Sequence, residues 1–235
     1  MIRQIRCLGI ASWLVLASVG FAQTDYNMSL TGTYDQDNWG GAYVSPYTGT
    51  IDGSNALIIC DDYTTDVNVG LTWTATAENA GSLNASEPPK FWGKNGNGPN
   101  SGVSSGYTAQ QDYDAVAWLA NQLMLPADLD NGTLQADYSY AIWNIFDPGL
   151  TTLNGQNSYG PDGGASALIT EAYNEVVNDH YVATNVVVYT PNPLTASQEY
   201  LVVTAPEPAA AAVLGFDLLS VLAILFLLRR YRVRA

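Results

Sequence analysis

The twenty residues from Ala209 to Leu228 constrain this chain more than any other stretch, with twelve Val, Leu, Ile or Phe residues and one charge, Asp217. As a helix rising about 1.5 Å per residue they would span roughly 30 Å, the thickness of a bilayer's hydrocarbon core. The twelve apolar side chains favour insertion by about 5 kcal/mol together, and the aspartate opposes it by roughly 3 kcal/mol, so insertion wins. Arg229, Arg230, Arg232 and Arg234 follow, and such a basic end stays on the cytoplasmic side.

The other end of the chain matches this reading. Arg3 and Arg6 precede an apolar stretch from Leu8 to Val19, and Gly20-Phe21-Ala22 places small residues before Gln23. That pattern is a secretory signal peptide over residues 1–22. Cys7 lies ahead of the apolar stretch, which rules it out as a lipoprotein cysteine. Between the two hydrophobic ends, residues 23–205 have the length of one domain.

Pro206-Glu207-Pro208, one spanning helix and a short end opening with Arg229-Arg230 resemble the PEP-CTERM sorting signal of Gram-negative bacteria. The resemblance implies export and passage through the inner membrane on the C-terminal helix. It further implies recognition by an exosortase-type processing protease, then residence at the cell surface or in an extracellular matrix of exopolysaccharide and biofilm. It covers the tail at 206–235 and supplies an address, leaving the activity of residues 23–205 open.

Charge narrows the partners of that central domain. All six arginines lie in the two hydrophobic ends, so Lys90 and Lys94 face twenty acids and the net charge of residues 23–205 is −18. A surface of this sign repels phosphate backbones, which excludes nucleic acid as a partner. Divalent cations could bridge it to anionic polysaccharide. Once the signal peptide is removed Cys60 is the one cysteine, so no internal disulfide forms along the oxidising export route. Stability has to come from a hydrophobic core, for which this length suffices.

The fold class expected is α+β. Met28–Thr31, Ala56–Cys60, Val67–Val69 and Leu71–Ala75 alternate or cluster apolar residues between Gly, Asn and Asp turns and read as strands, giving a β-rich first half. Residues 79–107, rich in Gly, Asn, Ser and Pro and holding both lysines, read as a long exposed loop. Three helices should follow. The first opens on a Thr108/Gln111 capping box, carries Tyr113, Val116, Ala117, Ala120 and Leu123 on one face, and stops at Pro126. The second runs from about Leu134 to Phe146 and the third from Ala165 to Asn178, and two strands, Tyr181–Tyr189 and Glu199–Thr204, close the domain.

Three short pieces suggest a chemistry: Ile59-Cys60-Asp61-Asp62-Tyr63, Ala117-Trp118-Leu119-Ala120-Asn121-Gln122 and Ala141-Ile142-Trp143. They resemble segments of other PEP-CTERM cargo proteins and of the thioester domains of Gram-positive surface adhesins. In those adhesins a strand cysteine condenses with a glutamine four residues before the helix tryptophan. Cys60 corresponds to the cysteine, but Ser139 stands at the glutamine's place, and Gln135 lies one helical turn earlier. The readings for Cys60 are therefore a buried structural thiol, a thiol that is free and reactive or links chains, or a thioester with Gln135.

Other site chemistry is sparse. His180 is the one histidine and suits the C-terminal end of the third helix, and the serine-hydrolase, zincin and P-loop motifs are missing. Asp61 and Asp62 supply two carboxylates, yet neighbours on a strand point to opposite faces and would not flank one glycosidic bond. Asp35–Gly40 and Asp128–Gly132 place acids beside glycine; turn chemistry accounts for both, with weak calcium binding as the functional alternative. No cofactor and no dedicated metal site is expected. Trp39, Trp73 and Trp92 could stack on sugars, while Trp118 and Trp143 belong to helices and read as core. Together these features point to an exported, non-enzymatic structural or adhesive protein of the cell surface or matrix. The alternatives are a covalent thioester adhesin and a carbohydrate-binding or carbohydrate-hydrolysing surface protein.

Overall fold

The computed structural model describes residues 25–35, 38–92, 106–147, 152–153, 156–157 and 163–204. The expected signal peptide, the Pro206-Glu207-Pro208 signature, Arg229, Arg230 and the apolar run at 209–228 lie outside these residues.

Strand β5 (Ser54–Cys60) shows how the fold is layered. Successive side chains of a strand face opposite ways. Ile58 and Cys60 accordingly join one apolar cluster and Ile59 another, all fully buried. The first cluster fills a closed antiparallel barrel. Its six strands are β1 (Asp25–Thr33), β4 (Tyr47–Ile51), β5, β6 (Thr72–Asn79), β9 (Val186–Asn192) and β10 (Tyr200–Val203), paired in the order β1-β4-β5-β10-β9-β6 with β6 returning to β1. Met28, Leu30, Tyr47, Ile58, Cys60, Trp73, Ala75, Tyr189 and Tyr200 fill the interior. Trp73 stacks on Tyr200 at 5.4 Å, so it is core rather than a sugar platform.

The second cluster lies between the outer face of the barrel and a helical layer inserted between β6 and β9. The layer comprises α1 (Ala109–Leu123), the one-turn α2 (Pro126–Leu129), α3 (Gly132–Phe146) and α4 (Gly164–Val177). Helix α1 begins on the expected capping box, with Thr108 accepting from the Gln111 N–H and Gln111 Oε1 accepting from the Thr108 N–H. It is buried nearly all round because α3 and α4 both pack on it and the barrel lies beneath. The architecture is therefore α+β, with a β-rich first half, helices, and two closing strands. Two small ribbons complete it: β2 (Asn38–Trp39) with β3 (Ala42–Tyr43), and β7 (Thr152–Leu153) with β8 (Gln156–Asn157).

Several expectations need correction. Val67–Val69 is not a strand; the Leu71 N–H turns back onto the Asn68 carbonyl and Gly70 onto Leu30. Strand β4 was missed because Gly49 and its polar neighbours look like a turn. Gly49 is needed for close approach: a Cβ there would lie 2.6 Å from the Ser29 carbonyl oxygen. Pro126 does not merely end a helix, since it opens α2, its missing N–H costing nothing at that position. The stretch after residue 79 is not simply exposed, because Lys90 is 10 % exposed and Phe91 stacks on Phe146 at 4.9 Å. Strand β9 begins at Val186 rather than Tyr181. Ahead of it the Ala183 N–H is bonded to Asp114 and the Thr184 carbonyl to Asn79.

Candidate functional site

Beyond Cys60 the chain leaves the barrel wall, and Asp61 and Asp62 turn to different partners, both essentially inaccessible to solvent. Asp61 faces Glu199, the residue before β10, which is also fully buried. Glu199 is well supplied with donors: the Tyr113 hydroxyl at 2.6 Å, the Thr190 hydroxyl at 2.6 Å and the Lys90 backbone N–H at 2.7 Å. Among the described residues no other residue supplies a hydrogen-bond donor to either oxygen of Asp61. Two touching carboxyl groups in an apolar interior cannot both be ionised. Burial first, and then the Glu199 charge, push the Asp61 carboxyl well above its ordinary range. Burial raises Glu199 as well, but its three donors oppose the rise. The donors around Glu199 therefore favour its ionised form and the protonated form of Asp61.

Asp62 is held differently. Its Oδ1 accepts from the N–H and hydroxyl of Thr64, and its Oδ2 lies 2.5 Å from Lys90 Nζ, which also donates to the Thr65 hydroxyl and the Ser197 carbonyl. A buried ion pair survives only where the remaining lone pairs and protons are satisfied, and here they are. The two acids thus tie the end of β5, the start of β10, strand β9, helix α1 and the Lys90 loop into one polar knot.

Cys60 sits at the edge of that knot. Its thiol donates to the Asp62 carbonyl, and burial, followed by the neighbouring Asp62 charge, pushes the thiol well above its ordinary range. The backbone of Cys60 is bound from the α3 side. Trp143 Nε1 donates to the Cys60 carbonyl at 3.0 Å, the Cys60 N–H donates to the Ser45 hydroxyl, and the Ser45 N–H donates to the Ser139 hydroxyl at 2.8 Å. The structure therefore places Trp143 and Ser139 of α3 on this strand end. It does not bring Gln135 there. The Gln135 carboxamide donates to Asp35 Oδ2 at 2.8 Å and to the Leu129 carbonyl, while the Cys60 side chain packs inside the barrel with Tyr47 and Tyr200.

Accessible chemistry lies at one mouth of the barrel. A cleft of about 660 Å³ is bordered by Leu30 and Tyr47 of the barrel, Tyr43 of the β2–β3 ribbon, Tyr63 and Asp66 of the loop after β5, Asp147 at the end of α3, and Gln198. Tyr43 is 53 % exposed. Tyr63 leans on Trp143 at 5.2 Å, and burial, then the carboxylates of Asp66 and Asp147, push its hydroxyl above the ordinary range. The Tyr200 hydroxyl donates to Gln198 Oε1 and orients that amide.

The remaining candidates are dispersed. Trp92 is half-buried against Tyr113, Trp118 is buried, and Trp39 borders a separate cleft with Asp130 and Asn131. The two acid-and-glycine turns do approach each other. Tyr34 reaches Asp130, and Gln135 joins Asp35 to Leu129. Among the described residues, however, no group of three His, Cys, Asp or Glu side chains is placed to hold a metal. His180 is exposed and takes a left-handed backbone (φ 56°) just beyond α4, so its main chain, rather than its imidazole, ends the helix. Among the described residues no helix is long and apolar enough to cross a membrane. The Asp61–Glu199 pairing was invisible to sequence reasoning, because nothing local marks Glu199 as a partner. Compared with known proteins, the chain matches no family model, no curated protein and no solved structure.

Proposed function

We propose that this protein is exported, sorted through a PEP-CTERM-type tail by an exosortase-type protease, and acts at the cell surface or in the extracellular matrix as a structural or adhesive binding protein. One contrast carries the reading. The acids of the knot, Asp61 and Glu199, are sealed from solvent, whereas a tyrosine-lined cleft suited to holding a ligand opens at the barrel mouth. The acidity of residues 23–205, with its single described lysine committed to Asp62, supports a role outside the cell without nucleic acid. The covalent-adhesin reading is less well supported, since Gln135 is engaged by Asp35 and Ser139 has no carboxamide.

The test is to fractionate the producing cells and analyse the secreted and surface material by mass spectrometry. The expected N-terminus is Gln23, and peptides beyond about residue 208 should be missing. Recovery of the intact tail at 206–235 in the mature protein would reduce the sorting signal to an ordinary anchor. Recovery of the protein only from the cytoplasm would refute export.

A further inference from the structure

We propose that the cleft at the barrel mouth binds a neutral polysaccharide, recognising uncharged sugar units through Tyr43, Tyr63, Asp66, Asp147 and Gln198. The inference rests on the reading of a binding protein above and adds the chemical class of what is bound.

Place and size come first. Barrel mouths are recurrent ligand sites, and a volume of about 660 Å³ lies within the usual range for small-ligand pockets. The cleft is walled by side chains of six different segments of the chain, so its shape is set by the tertiary fold.

The lining supplies the two kinds of contact that a sugar ring needs. A pyranose presents C–H groups on its faces and hydroxyls round its edge. Tyr43, more than half exposed, and Tyr63, tilted on Trp143, offer aromatic surface to the C–H faces. Asp66 and Asp147 line the same cleft as Tyr63, and their charges add to burial in raising its hydroxyl. Ionised carboxylates accept hydrogen bonds only, and sugar hydroxyls are donors suited to them. Gln198 adds an amide whose orientation is fixed by Tyr200.

Charge selects among polysaccharides. A uronate, sulfate or phosphate entering the cleft would meet Asp66 and Asp147 on a surface already strongly negative, with no free cation among the described residues to offset them. Lys90, the one described lysine, is bound to Asp62 in the interior. Like charges brought this close repel, and the repulsion grows as water is displaced. Neutral sugars suffer no such cost. A cationic peptide would answer the carboxylates and the tyrosine faces alike. The neutral sugar is the better fit because its array of hydroxyls also engages the oriented Gln198 amide, and a tetralysine probe tests the peptide.

The experiment uses the full-length chain in detergent. Saturation-transfer NMR and titration would be run with cellohexaose, mannohexaose, xylohexaose and hexa-N-acetylchitohexaose, with hexagalacturonate and a tetralysine peptide as charged probes. At least one neutral oligosaccharide should bind, and each charged probe should bind more weakly. Tyr43→Ala should weaken that binding about tenfold, the scale of one aromatic contact. The substitution leaves the fold's own use of residue 43 intact, because its backbone carbonyl, not its ring, accepts from Tyr47. Asp66→Asn should narrow the discrimination against hexagalacturonate without loss of folding. Stronger binding of either charged probe would overturn the ligand class. Silence from all probes, or unchanged affinity in Tyr43→Ala, would overturn the site. Neither result touches export, which is read by cell fractionation.

Discussion

Asp112 gives the most quantitative prediction. It lies in the first turn of α1, wholly buried, and among the described residues it has one donor, the Tyr173 hydroxyl 2.6 Å from its Oδ1, with none on its Oδ2. Two effects oppose each other. The positive end of the helix dipole favours the ionised form by about 0.3–1 kcal/mol, reaching about 2 kcal/mol in the best partly buried cases. Burial disfavours it by more and pushes the carboxyl up to about 7, while the Tyr173 bond pulls it partly back. An unfolded aspartate titrates near 3.9. Below about pH 4 both states are protonated and the folded state bears no penalty. As pH rises from there the unfolded chain releases its proton first. Stability then falls by about 1.4 kcal/mol per pH unit until the folded group also ionises, a total of about 4 kcal/mol. Asp112→Asn removes this slope and keeps an oxygen for Tyr173. Urea unfolding followed by tryptophan fluorescence should therefore show the variant close to the parent near pH 4. By pH 8 the variant should be the more stable by about 4 kcal/mol. Comparing the two proteins at each pH cancels the repulsion among the other acids. A stability difference that stays constant between pH 4 and pH 8 would refute the assignment.

The acid pair and its neighbours yield three more tests. Asp61→Asn should be tolerated, because an amide can donate to Glu199 as the protonated acid does, and its stability relative to the parent should rise from acid to neutral pH. Glu199→Gln should instead cost about 2–4 kcal/mol in denaturant unfolding, since its new N–H group confronts Tyr113, Thr190 or the Lys90 amide. Equal effects of the two substitutions would contradict the placement of the proton on Asp61. Lys90→Met should destabilise by about 3–5 kcal/mol by stranding Asp62, and Lys90→Met/Asp62→Leu should recover much of that loss. Cys60 should react slowly with iodoacetamide until the protein unfolds, and methylamine should add to no glutamine. Methylamide on Gln135 with a newly exposed thiol would establish the covalent adhesin.

Local signals carried the helices. The Thr108/Gln111 box, the turn-spaced apolar residues of α1 and the breaks around Pro126 and Pro148 are all contained within a few residues. Barrel closure was not legible, because it depends on β6 returning to β1 and on β10 inserting between β5 and β9. Those pairings join segments far apart in the chain. Glycine-containing β4 gave no strand pattern, while Val67–Val69 gave one that the Asn68 turn overrode. For the site, Asp61 and Asp62 meet different partners because both follow the end of β5, not through strand alternation, and composition concealed that Lys90 turns inward from a Gly- and Asn-rich stretch. One signal was present: Lys90 stands beside Phe91 and Trp92, an unusual pairing for a solvated loop. The cleft combines Tyr43, Tyr63, Asp66, Asp147 and Gln198 from separate segments, and no periodicity or motif could unite them.

The closed barrel also limits how such a protein can build a matrix. An open sheet ends in strands with unpaired N–H and C=O groups, a template onto which another chain can add. Here β1 is paired on both sides, and so is every other barrel strand. Growth of fibres by strand addition to this barrel would first require breaking a strand pair and exposing Trp73, Tyr200 and their neighbours to water. On the reading proposed above, copies of the protein would therefore be joined by what they hold rather than by barrel strands. Their network could be dissolved by competing ligand and would leave the domain folded.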